Sequence, residues 1–441
     1  MLKITDSSKQ SLNYLLKWLL LSLLAGLIGS VVVHSFSYLL FMLNRALTMT
    51  PIPVPVFALL GALFVAGIIY RLEPRAPGEG IPAYISGIRF RGGFLPMSET
   101  IAKYPAALIT LGTFGNGGMH GPVGRITAGV LSFVANRLQK IGFSNDDVRT
   151  AAMCGMAATT GALFNTPIGG GFLAVEITRR QSMGYRHLFP AILSSSIAVL
   201  ISKALGFSPS YMIRGTRGYF DISMIGWILL MGIISGIAGG LYTRLYDYTT
   251  KIFRKEGSNK LLKALTGTLI ASTLAWAINT ELMGTSSLFL TNLSIGNFAA
   301  LYGRLSPSVP LVLMLIIMLL CKAFCNIVTV GSGMSAGFTM PIVIVGMLLG
   351  ASLSSVLAID IGTPNYYALL SAGFSGMIAS SMNIPIAAAI MGVEIFGLHY
   401  SVPVTLAAII GFQINRHQTI YDYALYEKEM ETILMKETET S

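Results

Sequence analysis

Charge is what this chain has least of. Asp, Glu, Lys and Arg make up 11% of its 441 residues, against about 25% in ordinary soluble domains. A soluble chain of this length needs far more polar surface, so a set of water-soluble domains is excluded, as are disorder and a coiled coil. Cysteine is scarce as well. Cys154, Cys321 and Cys325 cannot build a disulfide framework, and all three lie in apolar surroundings. Cys321 and Cys325 share a helix face, which reads as packing by small apolar side chains. The sequence also lacks a nucleophile–base pair and a two-His motif, so it is not expected to be an enzyme, and neither a metal nor a cofactor is expected.

What the chain has in quantity is apolar surface and glycine. Hydrophobic residues reach 53% and the mean hydropathy is +0.69. Together these predict an all-α polytopic membrane protein whose first partner is the lipid bilayer. The balance of 30 Lys and Arg against 19 Asp and Glu leaves a formal charge of +11. In a soluble protein that suggests nucleic acid; here basic residues belong to cytoplasmic loops, and no nucleic-acid partner is expected. A basic chain also suits an anionic substrate. Lys3 and Lys9 place the N-terminus inside, and the run Lys251, Arg254, Lys255, Lys260, Lys263 marks a cytoplasmic loop. The polar start, Met1 to Lys9, runs into an apolar stretch without a small-residue cleavage site, so a first membrane helix is expected rather than a removed signal.

Long apolar segments cover residues 14–45, 54–70, 185–205, 223–247 and 308–329. Shorter ones, broken by Gly and Pro, cover 104–114, 121–135, 150–163, 167–177, 338–357, 366–380, 384–397 and 402–415. A spanning helix needs about 20 apolar residues, so many of these are too short to cross alone. The 47 glycines exceed the usual share of ~7% and cluster at the breaks. Helix ends inside a membrane must be buried in protein or face a cavity, a pattern of transporters and channels.

The chain repeats itself. Asn165-Thr166-Pro167-Ile168 leads to Val175-Glu176-Ile177; nearly half the chain later, Asn383-Ile384-Pro385-Ile386 leads to Val393-Glu394-Ile395. Each copy follows an Ala/Ser/Gly-rich helix, 150–163 and 371–382, and a Gly-rich turn, Gly115 to Pro122 and Gly331 to Pro341. The first copy ends in Thr178-Arg179-Arg180 with Arg186 nearby; the second ends in Phe396 to Tyr400 without a basic residue close by. By the positive-inside rule the two ends lie on opposite sides. Two inverted-topology repeats of broken and tilted helices are therefore expected, with the substrate site near the midplane where they meet. The expected organisation is a cytoplasmic segment 1–13, a first repeat 14–205, a second repeat 206–430 and a cytoplasmic tail 431–441.

Four Gly/Pro turns lie where helices can begin: Gly78-Glu79-Gly80-Ile81-Pro82, Gly118-Met119-His120-Gly121-Pro122, Gly331-Ser332-Gly333 through Pro341, and the two Asn-x-Pro-Ile sites. Unpaired N–H groups at a helix start carry about half a positive charge. Several starts at one depth make an anion site without a full positive charge, loose enough for the ion to leave. Read singly, each turn is better explained as a kink or a close helix contact; their number and the inverted repeat reverse that in favour of a site.

These turns resemble the CLC family of chloride channels and proton-coupled chloride transporters, as a divergent member. The family's G-S-G-I-P is here Gly78 to Pro82, its G-[KR]-E-G-P is Gly118 to Pro122, and its G-x-F-x-P is Gly337-Phe338-Thr339-Met340-Pro341. Its A-x-F-N-x-P matches Ala162 to Pro167. A Lys ahead of the second motif matches Lys103, and a Tyr on the last helix matches Tyr421, with Tyr423 as rival. The likeness runs from about residue 15 to 430. It implies a homodimer with one anion pathway per subunit, lined by Gly78–Pro82, Gly118–Pro122, Gly337–Met340 and Tyr421.

The departures are informative. Glu79 stands at the family's ion-coordinating Ser, His120 at its gating Glu, and Thr339 at the Phe of the third motif. The inner proton-transfer Glu falls on Ile177, beside Glu176. Both carboxylates of the usual proton route are absent. The expected function is therefore passage of chloride or a similar inorganic anion, not by standard chloride/proton exchange, with pH gating through Glu79 and His120 as gating candidates. The alternatives are an exchanger using Glu79, a non-conducting scaffold or sensor, and a cation or metal carrier with Glu79 and His120 as ligands. A carboxylate in a membrane segment points to function, although Glu79 near Arg75 also suits a surface ion pair. His120 also suits a neutral buried histidine. Glu176 and Glu394, at symmetry-related helix ends, read as structural caps or interface residues. The expected location is a bacterial inner membrane.

Overall fold

The Gly and Pro breaks divide the apolar sequence into two successive sets of helices. The computed structural model describes residues 6–178, 184–209, 218–253, 259–422 and 424–425. Arg179, Arg180, Arg254, Lys255, Tyr423 and the tail 431–441 lie outside the described residues, as does Lys3.

The first set is α1 (Asp6–Thr48), α2 (Val54–Phe64, carried on to Leu72 through a π turn), α3 (Ile81–Phe90), α4 (Met97–Gly112), α5 (His120–Leu138), α6 (Asn145–Phe164), α7 (Gly169–Glu176) and α8 (Tyr185–Ala204). The second is α9 (Ile225–Phe253), α10 (Lys260–Ile278), α11 (Ser287–Ser294), α12 (Leu311–Gly331), α13 (Thr339–Val356), α14 (Pro364–Met382), α15 (Pro385–Phe396) and α16 (Ser401–Asn415). Each helix of the second set matches the one eight places earlier. Among the described residues, seven helices are long and apolar enough to cross a membrane. One of them, α10, is a correction. Lys260 and Lys263 were expected in a loop but open this helix, because the sequence beyond them stays apolar to Ile278 and Asn259 caps the first turn through Leu261 N (2.9 Å).

Local sequence explains the ends. Ser144 and Asp147 form a capping box at the start of α6, satisfying two amides that the helix itself cannot. Asn165 and Asn383 end α6 and α14 in the left-handed conformation, each at φ 56°, which Asn tolerates better than branched residues. Pro364 and Pro385 sit at first-turn positions, where a missing N–H costs nothing.

The two sets pack internally by the same scheme: α5 on α6, α6 on α8 and α1 on α6 and α8 recur as α13 on α14, α14 on α16 and α9 on α14 and α16. Between sets, three helices meet their own counterparts, α2 with α10, α5 with α13 and α7 with α15. A twofold pseudosymmetry produces that pairing. Its direction is given by two carboxylates. Glu176 ends α7 and accepts from Ile386 N (3.1 Å) and Ala387 N (2.7 Å) at the start of α15. Glu394, near the end of α15, accepts from Ile168 N and Gly169 N (both 2.8 Å) at the start of α7. Each helix end caps the other's beginning, so α7 and α15 are antiparallel and the repeats are inverted.

These caps settle the expected choice for Glu176 and Glu394. They also remove the Asn-x-Pro-Ile starts from the list of turns facing an ion, since their amides are occupied by carboxylates. Glu176→Ala is expected to strand one buried and one partly buried amide and lower stability by about 2–4 kcal/mol, with Glu176→Gln in between. Thermal unfolding in detergent checks the order.

The small residues of α7 and α15 lie close against neighbours of their own subunit. Gly170 lies against Ser195 and Gly161, Gly171 against Ile192 and Gly169 against Met391, all within the chain, and Ala387 and Ala388 are buried. Close packing inside the subunit uses them.

Candidate functional site

The two repeats are stitched together where their Gly-rich turns meet. Gly118 and Gly337, one from each repeat, form an isolated antiparallel bridge, with N to O distances of 2.8 and 2.7 Å. Gly78 N donates to Gly333 O at 3.0 Å, which brings the turn before α3 to the same place. Gly78 (φ 76°) and Gly333 (φ 95°) hold left-handed conformations that side chains resist. Asn326 donates to Asn116 O (3.2 Å) and Gly337 O (3.3 Å) and accepts from the Tyr242 hydroxyl (2.5 Å). Lys103 Nζ donates to Ala76 O (2.9 Å) and to Gly78 O, fixing the turn that carries Glu79.

Glu79 is 6% exposed, which excludes the surface ion pair. Its Oε2 accepts from Ile81 N at 2.6 Å, capping α3 from its own turn. Its Oε1 has no hydrogen-bond partner and lies against the Cα of Gly121, at the start of α5; a Cβ there would overlap the carboxylate. The Phe338 amide, at the start of α13, and the Lys103 ammonium face the same carboxylate. One ionisable side chain thus sits among the beginnings of three helices.

Tyr421 closes the site. It is buried, and its hydroxyl faces Glu79 and Thr339 without reaching hydrogen-bond geometry to either. Phe338 is buried against Tyr246, with ring centroids 4.5 Å apart and edge-on. His120 has no exposed surface. Its Nδ1 is 2.9 Å from Thr339 Oγ1, its Nε2 is 2.8 Å from Thr160 Oγ1, and its ring lies edge-on to Phe164. Both nitrogens are satisfied by hydroxyls while the ring is neutral, so neither is free to bind a metal. Among the described residues no group of three or more His, Cys, Asp or Glu is placed to hold an ion.

The turns Gly78–Pro82, Gly118–Pro122 and Gly337–Met340 and Tyr421 therefore come together. Met119 turns aside, its sulfur accepting from Ser37 of α1, and Met340 packs on Gly118. Three buried features went unnoticed in the sequence: Thr160, the Arg125–Glu99 ion pair at 3.0 Å, and Lys322. Lys322 Nζ donates to Asn116 Oδ1 (2.6 Å), Leu282 O (2.9 Å) and Ser286 Oγ (2.6 Å). It is the counterpart of Lys103 one repeat later and steadies the equivalent turn of the second repeat. The repeat offset, applied to Lys103, falls on Cys321, one residue short of it.

Chemically, helix starts, an unpartnered hydroxyl donor and a carboxylate that already fills the space suit an anion in exchange with a tethered one. Helix N-termini repel cations.

Fold and site define a multi-pass membrane protein of two inverted repeats with an ionisable side chain buried where they meet. The chain belongs to the voltage-gated chloride channel family, whose description matches residues 61–416. It is similar to a chloride/fluoride channel protein of Pseudomonas syringae pv. tomato, 22% identical over 93% of this chain and 86% of that one. Among solved structures it resembles a slow cyanobacterial Cl−/H+ antiporter (TM-score 0.77, 17% identity, 93% of this chain and 97% of that one). A CLC-type fluoride/proton antiporter is also similar (TM-score 0.75, 20% identity, 92% and 97%). The family comprises channels and proton-coupled antiporters for chloride or similar anions.

Proposed function

We propose that this protein passes chloride or a similar inorganic anion across the membrane through the site among the starts of α3, α5 and α13, and that Glu79 is its pH-dependent gate. The observation that carries the reading is the Glu79 carboxylate itself, bonded to Ile81 N and pressed on Gly121. Ionised, it occupies the space and the donors an anion would use. Protonated, it loses its claim on three positive helix ends, and an external anion takes them with the Tyr421 hydroxyl. His120 acts through Thr339, fixing that hydroxyl beside Tyr421.

A second reading, anion/proton exchange, is supported by the same carboxylate: a gate that takes up a proton on one side and loses it on the other couples the two flows. Anion flux from proteoliposomes with successive anion replacement, with lumenal pH recorded together, separates them. Proton movement locked to anion movement selects exchange; flux without it selects a passive pathway; no flux of any anion leaves a scaffold.

The working unit in this reading is a homodimer in a bacterial inner membrane, with repeats of 14–205 and 206–430. Exposed Ile168, Phe189, Ile386, Val402 and Ile409 give α7, α8, α15 and α16 an apolar face suited to a second copy. Crosslinking in membranes is expected to trap a dimer through Ile386→Cys; a monomer under those conditions removes this part.

A further inference from the structure

A small cavity lies beside Glu79. It is lined by Arg75, Glu79, Ala83, Glu99, Lys103 and Arg125, among others, and holds about 10 Å³ of water-accessible space, room for about one water. One edge is Arg75, which is exposed; the other is the buried Glu79. Its walls are largely polar. Arg125 pairs with Glu99 (3.0 Å) and Thr100 Oγ1 (2.9 Å), and both partners of the ion pair are nearly inaccessible.

Two crossings place the outer edge. With the N-terminus inside, α1 leads out and α2 leads back, so Arg75 emerges on the cytoplasmic face, in keeping with the positive-inside rule.

We infer that this cavity is the way protons reach Glu79 from the cytoplasmic face, with Glu99 as the positioning residue that keeps it passable. The inference rests on Glu79 being the gate. A hydronium entering past Arg75 gives its proton to the Glu79 carboxylate, leaving water and a neutral acid; release is the reverse. The charged and titratable groups around Glu79 are Lys103 and Glu99 from α4, Arg125 from α5, Arg75 from the preceding turn and Tyr421. Three of these are fixed cations, and a proton approaching them meets repulsion. Glu99 offsets one of the three. Without it, Glu79 is alone among cations that favour its ionised form, and stronger acid is needed to neutralise it.

The test is stopped-flow anion efflux from proteoliposomes after a drop in external pH. Ala83→Leu fills the cavity without changing a charge. It is expected to slow acid activation at least about tenfold, equal to about 1.4 kcal/mol in the barrier, while steady efflux at held low pH stays near wild type. Glu99→Gln is expected to move half-activation to lower pH. Should Ala83→Leu fold poorly, Ala83→Cys treated with a membrane-impermeant thiol reagent tests the same point on folded protein, since Cys154, Cys321 and Cys325 are buried. A blocked cavity that activates at the wild-type rate, or Glu99→Gln with a wild-type pH profile, overturns the inference. A Glu79→Gln protein that keeps the wild-type pH response overturns the parent reading instead.

Discussion

Glu79→Gln is expected to raise anion flux at neutral pH and to flatten its dependence on pH. In the wild type the ionised carboxylate competes with the transported anion for the starts of α3, α5 and α13. Each helix start favours a negative charge by about 0.3–2 kcal/mol, so three of them hold the tethered carboxylate by roughly 3 kcal/mol. That corresponds to a competition constant of about 100-fold. Gln keeps the shape and an oxygen for Ile81 N, but it brings no charge, and the competition disappears. The sign follows directly. Wild-type flux rises as pH falls, because acid neutralises the competitor; one titrating group limits the rise to about tenfold per pH unit. Glu79→Gln is expected to stay within about twofold across the same pH range and to exceed the wild type most at high pH. Glu79→Ser, which also removes the carboxylate, should behave alike. Efflux from liposomes at several pH values checks this; an undiminished pH response in Glu79→Gln would remove Glu79 as the gate.

The second large effect is expected from a methyl group placed at Gly121. The three atoms nearest a Cβ there all belong to the Glu79 carboxyl group, the far end of a flexible side chain. Gly121→Ala should therefore fold and expel the carboxylate from its seat while leaving it ionisable. Flux at neutral pH should rise toward that of Glu79→Gln, and adding Glu79→Gln to it should raise flux little further, since both act on one occupant. Gly80→Ala is the contrast. Its Cβ would meet the Gly121 carbonyl and Arg125 Cβ, which are backbone and a packed helix face. A backbone contact in a close-packed interior cannot be relieved by a rotamer change, so this variant should be lost in folding, measured as yield of monodisperse protein. Gly121→Ala with wild-type flux and pH profile would show that the carboxylate does not block the pathway.

The membrane class, the broken helices and the inverted repeat were all present in the one-dimensional pattern, because composition, hydropathy and the recurrence of the Asn165 segment at Asn383 are properties of order along the chain. So were Glu79 and His120, as polar residues in turns where such residues are costly. Their roles were not. His120 and Thr339 belong to different repeats and become partners only when the pseudosymmetry brings their turns together; the hydrogen bond that occupies the imidazole is a fact of packing. The Asn-x-Pro-Ile starts looked like further anion donors until α7 and α15 met antiparallel and each supplied a carboxylate to the other. Gly169 to Gly171 are a related case: small residues permit close approach, but which neighbour approaches is decided by three-dimensional packing. Lys260 and Lys263 were assigned to a loop by charge, although a helix can begin with lysines at the membrane surface. Sequence alone set which residues were polar, small or apolar and in what order. The tertiary structure decided which of them share a point in space, because the contacts that make the site join turns from opposite halves of the chain.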